Sequence, residues 1–363
     1  MIIGLEASRA NRKAKTGTEW YAWHLLQQFK HLDQTSIFNV YYNQDLEPAL
    51  AQAPANFKFI ALPWHHRKFW TYLRLSWELW RRPVDKFFFS NSVALLGGGE
   101  IIATIHDLGF YSCPELYHPV ERLYQIWSHW LAIHRADKLI AVSQTTRDDI
   151  IRYFPKAKNK IKVIYNGWDN DMFSPGTDHE NEQIRDKFNL PQHYWLYIGR
   201  LERKKNIVNL LRAYQLLSDH SWPLVLAGRL GNYGAAEILE LADEIDNVRL
   251  LGYVADDDYK ALLAAAGAFV FPSHWEGFGI PILEAMGSGV PVLCSALPVL
   301  QEIGADAAIY FDQKNPLSIS QAMAEIQHDS ARRDRLIQAG LQRAEDFSWQ
   351  KCAQQTLAYI KDC

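Results

Sequence analysis

Short apolar runs alternating with longer amphipathic segments constrain the fold of this chain more than any other feature. Runs at 2–5, 38–42, 57–62, 86–90, 101–106, 138–142 and 162–165 make a first set, and runs at 194–198, 224–227, 248–251, 268–271, 292–294 and 308–311 a second. Such runs suit strands buried on both faces, and the helical segments between many of them, such as 19–29, 121–136 and 207–217, suit crossover connections. The pattern predicts an α/β protein with parallel sheets. Ligands of such sheets bind outside the carboxyl ends of the strands.

A chain of 363 residues exceeds what one core ordinarily organises, so two domains are expected, facing each other across a cleft. The polar stretch 169–182, with Pro175-Gly176 inside it, is the natural linker. It divides the chain into a first domain over 1–175, a second over 176–345, and a closing segment over 346–363 with a helix at 349–360. Apolar residues, at 48%, are enough to fill both cores, and a formal net charge of −3 argues against a nucleic-acid binder. Cys113, Cys294, Cys352 and Cys363 show neither a C-x-x-C pair nor zinc-site spacing and read as free thiols in a reducing compartment. The opening MIIGLEASRANRKAK puts apolar residues before charges, the reverse of a signal peptide, and the smoothest apolar run, 261–271, is too short to span a bilayer. The expectation is a soluble, cytoplasmic protein.

Two stretches carry chemistry. In YWLYIGRLERKKNIVNLL (194–211), a strand runs into Gly199, a basic turn, and Asn206 as N-cap of a helix from Ile207. Arg200 and Lys205 then flank a helix N-terminus, where free N–H groups and two cations suit a diphosphate; taken alone, the same turn reads as a solvated basic loop. In HWEGFGIPILEAMGSGVPVL (274–293), a glycine-rich turn leads into a helix that Pro281 starts and Gly287 and Gly289 end. Glu276 falls in the turn and Glu284 on the first turns of the helix. Carboxylates repel phosphate, but they accept hydrogen bonds from hydroxyls and stabilise developing positive charge. Either glutamate alone reads as an ordinary turn or helix acid. Both together, beside Arg200 and Lys205, point to a ligand with a diphosphate and many hydroxyls, a nucleotide-sugar.

At these residues the chain resembles the retaining glycosyltransferases of family 4, which have the GT-B fold of two Rossmann-like doubly wound domains facing a central cleft. The family signature Glu-Gly-Phe-Gly-x-Pro-x-x-Glu-Ala-Met-x-x-Gly-x-Pro-Val stands at 276–292. The Gly-Arg-Leu-x-x-x-Lys-Asn element stands at 199–206, the base-binding strand at 251–254, Asn-Gly-x-Asp at 166–169, the His-Asp strand end at 104–108, and the later strand-to-helix turn at 142–143. The resemblance implies that Arg200 and Lys205 hold the diphosphate and help it leave, and that Glu284 binds the ribose hydroxyls. Glu276, with the backbone N–H groups of Gly277, Phe278 and Gly279, would hold the donor sugar. His106 would contact that sugar, Gly17 would let the first loop approach the phosphates, and the base would lie near Tyr253 and Val254. It further implies transfer of a hexose, with retention and without a divalent metal or cofactor, from a GDP- or UDP-linked donor to a glycan or lipid-linked hydroxyl acceptor. The segment His106-Asp107-Leu108 resembles bacterial mannosyltransferases and favours GDP-mannose.

This sequence departs from the family pattern at three places. Lys15-Thr-Gly-Thr18 has one glycine where two adjacent are usual, Trp168 replaces a small aliphatic residue, and Gln301 stands where proline is common. Asp169-Asn-Asp171 falls in the linker and reads as structural, and His65-His66 as surface. Gly228 to Gly234 lacks the G-x-G-x-x-G spacing of a dehydrogenase. A glycoside hydrolase needs two carboxylates flanking a bond and has no use for a diphosphate cradle; a nucleotide-sugar-binding protein without turnover is the other alternative. The stretch 62–83 interleaves Trp64, Trp70, Trp77 and Trp80 with Arg67, Lys68, Arg74, Arg81 and Arg82. Its imperfect helical period favours tryptophans packed on the first domain; the alternative is peripheral contact with an anionic inner-membrane face.

Overall fold

The computed structural model describes residues 1–12, 15–65, 69–231 and 233–362; His66, Arg67, Lys68 and Cys363, singled out above, lie outside them. The chain forms two compact units. The first comprises Met1–Ser112, Pro119–Gly167 and Ser348–Cys363, the second Cys113–His118 and Trp168–Phe347.

In the first unit seven parallel strands run in the order β3-β2-β1-β4-β5-β6-β7. They are β1 (Ile2–Glu6), β2 (Ile37–Tyr42), β3 (Phe57–Ala61), β4 (Lys86–Phe89), β5 (Glu100–Ile105), β6 (Lys138–Ala141) and β7 (Ile161–Val163). In the second unit six parallel strands run β10-β9-β8-β11-β12-β13. These are β8 (Trp195–Ile198), β9 (Leu224–Ala227), β10 (Val248–Gly252), β11 (Ala268–Phe271), β12 (Val292–Ser295) and β13 (Ala308–Phe311). The central strands β9, β11 and β12 are buried along their whole length, as expected where crossover helices cover both faces of a parallel sheet. Strand order reverses beside β1 in one sheet and beside β8 in the other, so the loops after these strands open at topological switch points.

The closing helix Trp349–Lys361 belongs to the first unit. It packs along the helix Gly17–Leu32, where His24 stacks flat on Trp349 with ring centroids 4.8 Å apart. Lys361 Nζ lies 2.6 Å from the buried carboxylate of Asp33.

The boundary falls at 167/168, not at the expected 175/176, and residues 113–118 join the second unit. The cause is Trp168. Its ring is buried in the second unit, its Nε1 donates to Ala344 O at 2.8 Å, and a Cβ at Gly287 would lie 2.1 Å from it. Proline and glycine mark where the chain is easily bent; a large buried ring decides which core claims the residues around it. Trp168→Ala should therefore cost the second unit about 3–5 kcal/mol, the usual loss for emptying a buried tryptophan site. Denaturant unfolding followed by fluorescence measures it, and an unchanged transition would contradict this assignment.

Candidate functional site

In the second unit, Tyr197 of β8 is fully buried and its hydroxyl donates to Arg200 O at 2.9 Å, which pins the turn after the strand. A single helical turn, Arg203–Lys205, follows, and then the helix Ile207–Gln215. Asn206 precedes that helix with φ 59°, but its side chain does not cap it. Instead Nδ2 donates to Pro272 O at 2.9 Å and to Gln313 O at 2.7 Å, tying the β8 loop to the chain beyond β11 and β13. The capping role expected of Asn206 is thus replaced by cross-linking of three strand ends, because a buried amide with carbonyls in reach gains more there than at a helix end.

That cross-link brings the predicted charges together. Lys205 Nζ donates to Glu276 Oε1 at 2.6 Å, with the side chains 20% and 13% exposed. Arg200 stands apart, mostly exposed, with Glu202 as an ion-pair partner at 3.7 Å. Beyond Glu276 and Gly277, Phe278 is buried edge-on against Phe347, with centroids 5.9 Å apart. Gly279 starts the helix Ile280–Gly287 at φ 104°, and a Cβ there would sit 2.6 Å from Leu300 Cδ2, so only glycine fits this turn.

Glu284 lies on the second turn of that helix, not the first, so a favourable first-turn dipole contact does not account for it. Its Oε2 accepts from the Tyr259 hydroxyl. Burial pushes its pKa up to about 7, partly offset by Tyr259 and reinforced by the like charge of Asp169. Tyr253 lies just past β10, is 62% exposed, and has the Arg229 guanidinium 4.3 Å over its ring; Val254, beside it, is half-buried.

In the first unit, His106 follows β5. Its Nε2 lies 2.8 Å from Ser90 O, and its ring meets Tyr21 edge-on at 4.8 Å. Burial lowers its pKa to about 4, so near neutral pH the imidazole is uncharged and suited to hydrogen bonding. Gly17 opens the helix that carries Tyr21, and a Cβ there would meet no atom within 4 Å. The protein's own packing therefore does not require glycine at this position.

The aromatic segment divides. Trp70 is buried and donates from Nε1 to Leu62 O at 2.9 Å, whereas Trp77 and Trp80 are 46% and 67% exposed. The guanidinium groups of Arg74 and Arg81 lie 5.1 and 4.8 Å from the Trp77 ring. The Tyr72 hydroxyl is 2.6 Å from Ser128 Oγ, joining this segment to the helix Pro119–Arg135, whose Leu123, Trp127 and Trp130 are also exposed. No helix among the described residues is long and apolar enough to cross a membrane.

Tyr259 and Asp169 matter to Glu284, yet sequence reasoning passed over them in that role. Tyr259 is 25 residues from its partner on another helix, and no spacing rule reaches that far.

The comparisons with known proteins agree with this architecture. A model of the Glycosyltransferase Family 4 domain matches residues 16–172, and one described as Glycosyl transferases group 1 matches 178–343. O-antigen chain mannosyltransferase B of Escherichia coli is 37% identical over 267 residues, covering 72% of this chain and 70% of that protein. Sucrose-phosphate synthase from Thermosynechococcus elongatus superposes with a TM-score of 0.78 at 20% identity, over 98% of this chain and 97% of that one. Anabaena HepE, solved in complex with UDP-glucose, superposes with a TM-score of 0.74 at 17% identity, over 99% of both chains. These two structures share the fold.

Because Lys205 and Glu276 neutralise each other, removing either should weaken the second unit. A double-mutant cycle of Lys205→Ala and Glu276→Ala should give a coupling of about 1–2 kcal/mol at low salt, in the range of charge-assisted hydrogen bonds. Additive losses would mean that the pair contributes nothing in solution.

Proposed function

The chain belongs to the family 4 glycosyltransferases and is a glycosyltransferase of GT-B fold, and from that premise we propose that it transfers mannose from GDP-mannose to a hydroxyl of a growing polysaccharide, with retention and without a metal ion. The observation that carries the mechanism is the Lys205–Glu276 pair. In the free protein each charge is the other's partner. An arriving diphosphate competes with Glu276 for the ammonium, and Glu276, released, accepts from the sugar hydroxyls. Donor binding in this way puts a cation at the leaving group and an anion at the sugar.

Breaking the sugar–phosphate bond builds positive character on the ring and negative charge on the diphosphate, and fixed groups of opposite sign lower that barrier without reorganising. Arg200, exposed and held by a weak partner, is free to swing onto the phosphates. The N–H groups of Gly277, Phe278 and Gly279 add donors in the same turn. Glu284 takes the ribose hydroxyls, Tyr253 and Val254 line the base, Gly17 leaves room for the phosphates, and neutral His106 hydrogen-bonds the sugar. Mannose and polysaccharide are favoured by the Escherichia coli relative; uridine donors are the competing choice, since Anabaena HepE was solved with UDP-glucose. A nucleotide-sugar-binding protein without turnover would keep the binding and lose the transfer.

Thermal-shift measurements with GDP, UDP, ADP and their sugar conjugates, in the presence of a chelator, identify the donor by mass action. Lys205→Ala should then lower kcat by about 10²–10³-fold, the usual effect of losing one preorganised donor at a developing anion. Glu276→Ala should lower turnover while leaving nucleoside diphosphate affinity unchanged or improved, because it frees Lys205. Nuclear magnetic resonance of the product's anomeric centre decides retention. Donor binding with neither transfer nor slow hydrolysis would favour the non-enzymatic reading.

The same proposal includes peripheral contact with an anionic membrane. The support is the exposed Trp77 and Trp80 with Arg81 and Arg82 beside them, a combination that combines interfacial aromatic burial with attraction to acidic lipid. Sedimentation at low salt should be greater with anionic than with neutral vesicles, and Trp77→Ser with Trp80→Ser should reduce it. Equal sedimentation with both would sink the idea.

A further inference from the structure

We infer that Tyr259 is a positioning residue for the donor nucleotide, holding one oxygen of Glu284 so that the other accepts the ribose diol. The inference rests on the reading of Glu284 as the ribose acceptor. Tyr259 lies on the helix Asp256–Ala264, and its hydroxyl donates to Glu284 Oε2. Phe173 packs edge-on against the Tyr259 ring with centroids 5.1 Å apart, which restricts the hydroxyl's direction.

The surroundings of Glu284 tell what kind of ligand it awaits. Among the described residues, Tyr259 is the sole hydrogen-bond donor to the carboxylate, and no lysine or arginine pairs with it. The other charged group that acts on it is Asp169, of the same sign; Tyr197 on β8 and Asp256 on the Tyr259 helix act on the tyrosine. A half-buried carboxylate with one donor and no cation is poorly compensated. It does not suit a phosphate, which it would repel, and it does not suit a structural ion pair, which it lacks. Neutral hydroxyl donors complete it. Two adjacent ribose hydroxyls supply donors to Oε1 while Tyr259 keeps Oε2.

The same geometry gives a pH signature with a definite sign. The diol requires the ionised carboxylate, and burial has raised the folded-state pKa to about 7. Recognition of the ribose is therefore complete above that pH and is lost as pH falls through it. Tyr259 donates to the ionised form, so removing its hydroxyl moves the loss to higher pH.

The experiment uses the full chain and GDP or UDP, whichever gives the larger thermal shift, each against its 2′,3′-dideoxy counterpart. Dissociation constants are measured by calorimetry between pH 6 and pH 9 for the unaltered protein, Tyr259→Phe and Glu284→Gln. Taking the ratio of the two ligands at each pH cancels titration of the diphosphate. The unaltered protein should prefer the ribonucleotide by about 10-fold at pH 8, the value of one or two hydrogen bonds to a charged acceptor, and lose the preference towards pH 6. In Tyr259→Phe the preference should fall to a few-fold even at pH 9, with its midpoint moved to higher pH and dideoxynucleotide affinity unchanged.

If Glu284→Gln abolishes the preference while Tyr259→Phe keeps its size and its pH midpoint, the role assigned to Tyr259 is overturned. Equal loss for both ligands in Tyr259→Phe makes Tyr259 a packing residue and overturns it too. A preference that survives Glu284→Gln removes the ribose reading itself. Should Tyr259→Phe fail to fold, a pH-independent preference in the unaltered protein overturns the inference alone.

Discussion

In an all-parallel sheet every strand delivers its carboxyl-terminal loop to the same edge, and the candidate site depends on that constraint. The loops after β8 and β11 come from adjacent strands and therefore lie side by side, although their residues are about seventy positions apart, as the 71-residue separation of Lys205 and Glu276 records. Asn206 then fixes the spacing by bonding to the carbonyls of Pro272 and Gln313.

The two glutamates of the signature, eight positions apart, are handled in opposite ways. Glu276 is neutralised by the ammonium of Lys205. Glu284 has a hydroxyl donor and a like-charged neighbour, so burial leaves it close to protonation near neutral pH. One carboxylate is thus masked by charge and the other by solvent exclusion. In the proposed function, a nucleotide-sugar would present what each requires: phosphate for the partner of Glu276, and hydroxyls for Glu284. This complementarity, more than the count of acidic residues, separates a nucleotide-sugar site from a pair of hydrolytic carboxylates.

Strand positions were legible to within a residue or two, because buried parallel strands are short, apolar and bounded by turn residues. Every expected run corresponds to a strand. The domain boundary was not: the linker composition points to 175/176, and Trp168 draws the division to 167/168. Asn206 illustrates a subtler failure. Its place before a helix correctly marks the helix start, but the choice between capping that helix and bonding to distant carbonyls depends on what folding brings near. Trp70 and Trp77, in one segment, end respectively buried and exposed, which the imperfect period could not separate.

By itself the sequence determined the fold class, the order of strands and helices, and the residue types of the candidate site, since these follow from local periodicity, turn chemistry and a contiguous signature. Only the tertiary structure decided partnership. Lys205 meeting Glu276, Tyr259 meeting Glu284, and Trp168 filling the space above Gly287 are contacts between segments far apart in the chain. Hydrogen bonding and desolvation act over a few ångströms, and which groups come within that range is a property of the packed sheet and its helices.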